Sequence, residues 1–194
     1  MEKLEQIEYN GYKINIYQDE NDFNDTPGDW GNDDCFLVHY HRDCWIENKQ
    51  VEKDDIAQWY RGNKSLEKKW WVFPVAAYIH SGVVLSLGSG RHFPDYNWDV
   101  SHVGALLVER KRGLRETKAH KWAEGLIETW NDYLSGNIYG YMIEDYKGNE
   151  EGGIWGFYGD YEKSGLIDEA KAEIDDMVLE QQEINKNLQP VEIY

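Results

Sequence analysis

A group of histidines and aspartates in the middle of the chain has the residue types of an acid–base or metal site. The group consists of His80, His92, Asp95, Asp99 and His102. A carboxylate next to an imidazole sets its tautomer and raises its basicity, which general acid–base catalysis uses. One interpretation is therefore a His/Asp-dependent hydrolase or nuclease that uses His80, Asp99 and His102. The favoured interpretation is structural, because side chains next to turns often hydrogen-bond to loop backbone.

A second group has the ligand types of a zinc site. It contains His39 and His41, with Asp43 and Cys44 just beyond them. On a strand the two histidines would point to the same face, so the spacing permits chelation. A structural zinc site normally has four ligands, and no second closely spaced Cys or His pair occurs. We therefore predict no metal site and no cofactor.

Two glycine-rich stretches, Gly136–Gly140 and Gly152–Gly159, could in principle cradle a phosphate before the last predicted helix. Lys163 does precede that helix, but Glu162 stands where a P-loop requires glycine. Nearby carboxylates would also repel an anion. The glycines are predicted instead to let aromatic side chains pack closely or to allow bulges.

The densest basic run has two open interpretations. With Trp122 as a stacking partner, the run could contact phosphate. Its bases could instead pair with acidic segments of the same chain, and this second interpretation is favoured. The run consists of Arg110, Lys111, Arg112, Arg115, Lys118 and Lys121.

Acidic side chains are concentrated at both ends of the chain. The net charge is −10 over Met1–Ile56, +3 over Ala57–Ile143 and −10 over Glu144–Tyr194, which gives −17 in total. Such a surface repels nucleic acid and anionic membrane and favours basic partners. The last predicted helix carries the candidate partner-binding residues, which are Asp168, Glu169, Glu173, Asp175, Asp176, Glu180 and Glu183.

Length and composition predict the organisation of the protein. With 194 residues and 41% apolar content, residues 1–194 are expected to form a single domain. No export leader and no apolar run of membrane-spanning length occur, so a soluble cytoplasmic protein is expected. Cys35 and Cys44 are then expected to be reduced rather than joined in a disulfide.

Periodicity predicts an α+β fold, with a mainly antiparallel sheet of about six or seven strands packed against two amphipathic helices. Apolar residues at steps of three and four predict helices over Arg115–Leu134 and Leu166–Asn187, and a shorter helix is predicted over Asp54–Arg61. Alternating or short apolar runs predict the strands. These are Tyr12–Tyr17, Cys35–Tyr40, Trp71–His80, Val83–Leu87, His102–Val108, Ile138–Glu144 and Gly153–Tyr158.

Four landmarks in order over about two-thirds of the chain resemble an uncharacterised family of proteins from bacteriophages and mobile elements of Gram-positive bacteria. They are Thr26-Pro27 with Trp30; Pro74 and Tyr78 with His80-Ser81-Gly82; Trp98-Asp99 with Val103-Gly104; and Tyr133-Leu134 with Gly136, Tyr139-Gly140 and Trp155–Gly159. That family pattern has a glutamine-like residue at the position of His102. The resemblance implies a phage or plasmid setting and no particular activity.

Three function classes follow from these patterns. The favoured one is an acidic accessory protein, not an enzyme, that acts in the host cytoplasm. It would bind and inhibit a host protein with a basic, nucleic-acid-binding surface, as anti-restriction or anti-CRISPR proteins and nucleic-acid mimics do. It is expected to contact neither nucleic acid nor membrane directly. The alternatives are the His/Asp hydrolase or nuclease and a binder of a small nucleotide, which would need a deep pocket with Trp or Tyr beside Arg or Lys.

Overall fold

The computed structural model describes residues 3–20, 26–29, 33–41, 46, 49–50 and 68–187, and this part of the chain contains nine strands and three helices. In chain order they are β1 (Lys3–Tyr9), β2 (Tyr12–Gln18), β3 (Cys35–His39), β4 (Lys49–Gln50), β5 (Trp70–Ile79), β6 (Val83–Leu87), α1 (Tyr96–Asp99), β7 (Val100–Glu109), α2 (Glu116–Ser135), β8 (Ile138–Glu144), β9 (Glu150–Tyr158) and α3 (Leu166–Asn187).

The chain divides into two compact units, one of them discontinuous in sequence. Met1–Glu20 and Asn137–Tyr194 form the first, here called the terminal unit, and Asn21–Gly136 form the second, here called the central unit. The single-domain organisation of residues 1–194 stays a prediction.

The terminal unit is a four-stranded antiparallel sheet covered by one helix. Its strand order is β1-β2-β8-β9, so β2 pairs with a strand more than a hundred residues away along the chain. Ile14 and Ile16 of β2 lie beside Ile143 and Tyr141 of β8. This apolar face packs against Leu166, Ala170 and Ile174 of α3, all fully buried, and removing it from water stabilises the unit.

A glycine in β8 allows an aromatic ring to pack against the strand. A Cβ on Gly140 would overlap the indole ring of Trp155, and the β8–β9 register shifts between Tyr139 and Tyr141. The prediction of close aromatic packing and a bulge is confirmed for Gly140, whereas Gly152 leaves room for a carboxylate of α3.

The central unit is a five-stranded sheet with α2 on one face. Its order is β4-β3-β7-β5-β6, and its pairs are antiparallel except for the two-residue β4 beside β3. The buried stripe of α2, formed by Ala119, Ala123, Ile127 and Trp130, packs with the core residues of β5, β6 and β7. The helix stops at Gly136, whose φ of 72° is the left-handed conformation that ends many helices.

The α+β class and the two long amphipathic helices are confirmed, but the strands form two sheets and not one of about six or seven strands. Hydrophobic alternation shows which residues face a core, and it carries no information on which strands share a ladder. The helix predicted over Asp54–Arg61 lies outside the described residues. In the described part of the chain, no helix has both the length and the apolar character needed to cross a bilayer.

Candidate interaction surface

The helix α3 begins after Gly165, whose φ of 87° suits glycine. Asp168 and Glu169 lie in its first turn, where carboxylates interact favourably with the helix dipole. The apolar side of α3 faces the terminal sheet, so the opposite side carries most of its charge.

The seven predicted partner-binding carboxylates divide by exposure. Asp168, Glu169, Asp176, Glu180 and Glu183 are exposed. Glu173 and Asp175 are half-buried and accept hydrogen bonds from the terminal unit's own side chains.

Glu173 contacts the buried ring of β8. The Tyr141 hydroxyl donates to Glu173 Oε2 at 2.8 Å. Burial, together with this hydrogen bond and the Glu173 charge, raises the pKa of Tyr141 far above the ordinary tyrosine value. Gly152 of β9 leaves room for Glu173, because a Cβ there would overlap its carboxylate.

Asp175 contacts the end of β1 and the turn that follows it. Its oxygens accept hydrogen bonds from the Tyr9 hydroxyl at 3.1 Å and from Asn10 Nδ2 at 2.7 Å. The hydrogen bond to Asp175 is the main reason that the pKa of Tyr9 is raised. Helical periodicity could not identify these partners, because Tyr9 and Asn10 are more than 160 residues away along the chain.

Five carboxylates form one line along α3. Spacings of four and three residues place them on adjacent turns of the same side, and we call this set the acidic row. It consists of Glu169, Glu173, Asp176, Glu180 and Glu183. At 1.5 Å rise per residue the row is about 21 Å long, with one carboxylate per about 5 Å.

The rest of the terminal unit adds to this negative charge. The unit has nineteen acidic and six basic residues, a net charge of −13, whereas the central unit has a net charge of −4. In α3 itself the bases are Lys171, whose ammonium lies 5.6 Å from the centroid of the Tyr9 ring, and Lys186 in the last turn. The acidic row therefore lies in the more negative of the two units.

The two acidic ends of the sequence join only in part. Met1–Glu20 lies in the same unit as the acidic C-terminal segment, but the ten acidic residues between Asn21 and Ile56 belong to the central unit. The concentration of charge in the terminal unit comes mostly from α3 and the β8–β9 region.

The alternative catalytic residues are only partly brought together. His80 Nδ1 lies 3.3 Å from Asp99 Oδ2, and the His80 side chain is 66% exposed. His102 lies on β7, opposite Ala76 of β5, and its side chain is exposed. No hydrogen bond or ion pair joins it to His80 or Asp99. A hydrolytic site built on all three residues would need them within hydrogen-bond reach of a shared substrate.

The neighbouring histidine belongs to an aromatic stack. His92 contacts Phe93, which stacks on Tyr78 with ring centroids 5.4 Å apart. Tyr78 in turn stacks with His80. Asp95 has a φ of 52° and precedes α1, where its backbone carbonyl accepts from the amides of Trp98 and Asp99.

The candidate zinc ligands are described only in part. His39 is buried on β3 and His41 follows the strand, while Asp43 and Cys44 lie outside the described residues. Among the side chains that the structure describes, no three from His, Cys, Asp and Glu are grouped to hold a metal. Cys35 is a free thiol, and its burial raises its pKa to about 11.

One lysine of the basic run pairs with an acid of the Met1–Ile56 segment, as the favoured interpretation predicts, and two other bases of the run contact aromatic rings. Lys111 forms an ion pair with Asp34. Arg110 stacks on the Trp71 ring and donates from Nε to the Trp70 carbonyl. Lys118 lies 5.6 Å from the Trp122 ring centroid. Aromatic rings thus contact two of the cations for which carboxylates were expected.

The Lys163 ammonium is paired with a carboxylate and is therefore not available to bind a phosphate. Its ammonium lies 2.6 Å from Asp160 Oδ2, and this hydrogen bond raises the pKa of Lys163 and lowers that of Asp160. An incoming phosphate would have to displace that carboxylate, which agrees with the prediction against a P-loop.

Comparison with protein-family models, curated proteins and solved structures gave no match. The fold and surface themselves define an α+β protein with two sheet-and-helix units, one of which carries a line of carboxylates along its helix, all of them exposed except Glu173.

Proposed function

We propose that the protein is an acidic accessory protein of a phage or mobile element that binds the basic, nucleic-acid-binding surface of a host protein. The observation that carries the proposal is the acidic row of α3. The phage or mobile-element setting is supported only by the resemblance of the sequence landmarks. On this proposal the protein inhibits its target by competition and not by catalysis, as anti-restriction or anti-CRISPR proteins do.

The spacing of the acidic row suits a surface that normally binds a nucleic acid backbone. One DNA strand has a phosphate per 3.4 Å of axis, so the row has about two-thirds of that linear charge density. A basic groove that attracts closely spaced phosphates also attracts carboxylates that are held in a line. Charges that only improve solubility have no reason to align.

Two members of the wider acidic set also hold the row in place. Glu173 and Asp175 are bonded to Tyr141, Tyr9 and Asn10, which limits rotation of α3 on its sheet. A fixed line of charge binds a partner with less loss of conformational entropy than a mobile one. The structural contacts and the binding role are therefore compatible.

The test is a comparison of two variants that lose the same charge. The row variant is Glu169→Gln, Asp176→Asn, Glu180→Gln and Glu183→Gln together, which spares the bonded Glu173. The control variant is Glu8→Gln, Glu150→Gln, Glu151→Gln and Glu162→Gln, four exposed acids of the same unit. Each is used to capture proteins from a nuclease-treated lysate of a Gram-positive bacterium.

We expect the wild-type chain and the control variant to capture the same basic nucleic-acid-binding protein, and the row variant to lose it. The captured protein, once purified, should release its DNA or RNA when wild-type chain is added. Equal capture by the two variants, or a captured protein that keeps its nucleic acid, would contradict the proposal.

The second candidate function is hydrolysis at the central unit, and the observation that favours it is the 3.3 Å contact between His80 and Asp99. The carboxylate on Nδ1 leaves Nε2 available as a base. Nucleic-acid cleavage by the purified chain that is lost in His80→Ala and kept in His102→Gln would favour this candidate. Absence of cleavage would leave the acidic row as the functional surface.

A further inference from the structure

A cleft of about 460 Å³ lies in the central unit beside the edge strand β6. The helix α2 forms one wall, and the segment that carries His92 and Phe93 forms another. Its volume lies within the range of small-molecule sites in proteins. None of its lining residues belongs to the acidic row.

The floor of the cleft is apolar and already part of the core. Phe73 of β5, Leu85 of β6 and Ile127 of α2 line it, and each is at most 9% exposed. Leu87 and Phe93, both half-buried, add to the apolar lining. Because core residues hold this floor, it exists before any ligand binds and can bury the apolar body of one.

The helix wall of the cleft is acidic. Glu124 and Glu128 lie one turn apart on α2, both exposed, and like charges at this spacing repel each other. His120 Nδ1 lies 3.3 Å from Glu124 Oε1, and Glu128 forms no ion pair with a described residue. The described residues that line the cleft include no lysine or arginine, so a cation would lower the repulsion and an anion would raise it.

The strand edge at the cleft is closed to an added peptide strand. Asn131 of α2 accepts from the Leu85 amide at 2.7 Å and donates to the Leu85 carbonyl at 3.0 Å. These are the groups with which an extended peptide would continue the sheet. A ligand of the cleft must therefore bind by its apolar body and its charge, without a main-chain ladder.

We propose that this cleft binds a small organic cation. Its apolar body lies on Phe73, Leu85 and Ile127, and its ammonium or guanidinium group lies between Glu124 and Glu128. The site is independent of the proposed function, since the acidic row belongs to the terminal unit.

The experiment uses three probes of similar shape and different charge, namely phenethylamine, 2-phenylethanol and 3-phenylpropionate. Each is titrated into the full-length, ¹⁵N-labelled chain, and amide shifts are followed by NMR. We expect phenethylamine to shift the amides of Leu85, Leu87 and Ile127 saturably, 2-phenylethanol to shift the same amides with lower affinity, and 3-phenylpropionate to leave them unchanged.

Two double variants then test whether the charges of Glu124 and Glu128 contribute to the binding of phenethylamine. In Glu124→Gln/Glu128→Gln the affinity for phenethylamine should fall about fivefold or more, toward that for 2-phenylethanol, because two ion contacts are lost. Glu150→Gln/Glu151→Gln removes the same charge from the terminal unit and should leave the affinity unchanged. The amide spectrum of each variant shows that it is folded.

Three outcomes would overturn the proposal. They are equal binding of the three probes, amide shifts that lie away from the cleft, and an affinity for phenethylamine that is unchanged in Glu124→Gln/Glu128→Gln. None of these results bears on capture of a host protein by the acidic row, so the two proposals fail separately.

Discussion

The carboxylates of α3 divide into two groups according to what their oxygens contact. Glu173 and Asp175 accept hydrogen bonds from tyrosines and an asparagine of the terminal sheet. Asp168, Glu169, Asp176, Glu180 and Glu183 face solvent. Substitutions in the first group should therefore change stability, and substitutions in the second should change binding.

Tyr141→Phe tests the structural role of Glu173. The variant keeps the buried ring but removes the hydroxyl that donates to Glu173, so we expect the free energy of unfolding to fall by about 1–2 kcal/mol. Urea denaturation of the purified chain measures it. Tyr139→Phe, whose hydroxyl forms no hydrogen bond among the described residues, is the matched control and should change the value by less than about 0.5 kcal/mol. Equal losses in the two variants would contradict this role.

The same pair of variants has a pH signature. The pKa of Tyr141 is raised in the folded state, so folding stabilises the neutral phenol. The contribution is fully present below the unfolded pKa of about 10 and is lost as pH rises above it, because the unfolded chain then releases the proton more readily. Between pH 9 and pH 11 the wild-type chain should therefore lose more stability than Tyr141→Phe. Parallel pH curves would contradict the shift.

Two glycines of the central unit, one in a strand and one in a helix, differ in the space that a Cβ would have. A Cβ on Gly104 of β7 would overlap the Val38 carbonyl of the neighbouring strand, whereas a Cβ on Gly125 of α2 would meet open space. The residue type is the same, but only the strand position requires it.

Gly104→Ala and Gly125→Ala should have opposite effects on stability. The first forces β3 and β7 apart and should lower the free energy of unfolding by about 1–3 kcal/mol, as overpacking does. The second replaces a flexible residue inside a helix and should raise it by about 0.5–1 kcal/mol. Thermal and urea unfolding of the two single variants measure both. A neutral or stabilising Gly104→Ala would contradict the close approach of the two strands.

The elements themselves were largely predictable because their periodicities are strong. Val83–Leu87, Ile138–Glu144 and Leu166–Asn187 have the bounds that alternation and helical spacing predict. The strand β1 was missed, although Asn10-Gly11 carries the signal of a two-residue hairpin turn. Both residues have positive φ, which this pair accommodates.

The arrangement of the elements was not predictable. Pairing of β2 with β8 depends on contacts between residues more than a hundred positions apart, and single-sequence patterns do not report such contacts. The same limit applies to the candidate surface: the exposed face of α3 follows from its period, but the tyrosine partners of Glu173 and Asp175 do not.

At the scale of the whole molecule the dominant feature is uneven charge. The terminal unit has a net charge of −13 and the whole chain −17. Self-repulsion of this kind opposes compactness and is reduced by salt.

Added KCl should therefore stabilise the chain. Between 50 and 500 mM KCl we expect the midpoint of thermal unfolding to rise, because the Debye length becomes shorter than the spacing of many like charges. The row variant, with four fewer negative charges, should show a smaller rise. A midpoint that falls with KCl would mean that ion pairs such as Lys111–Asp34 outweigh repulsion.

The interleaved order of the two units also has a consequence for biosynthesis. Asn21–Gly136 leaves the ribosome before β8, β9 and α3 do, so the central unit can fold before β2 has β8 to pair with. The negatively charged helix α3 gains its supporting sheet only once β8 and β9 have left the ribosome. A nascent chain therefore acquires the acidic row after the central unit, and products that stop before Leu166 should lack it.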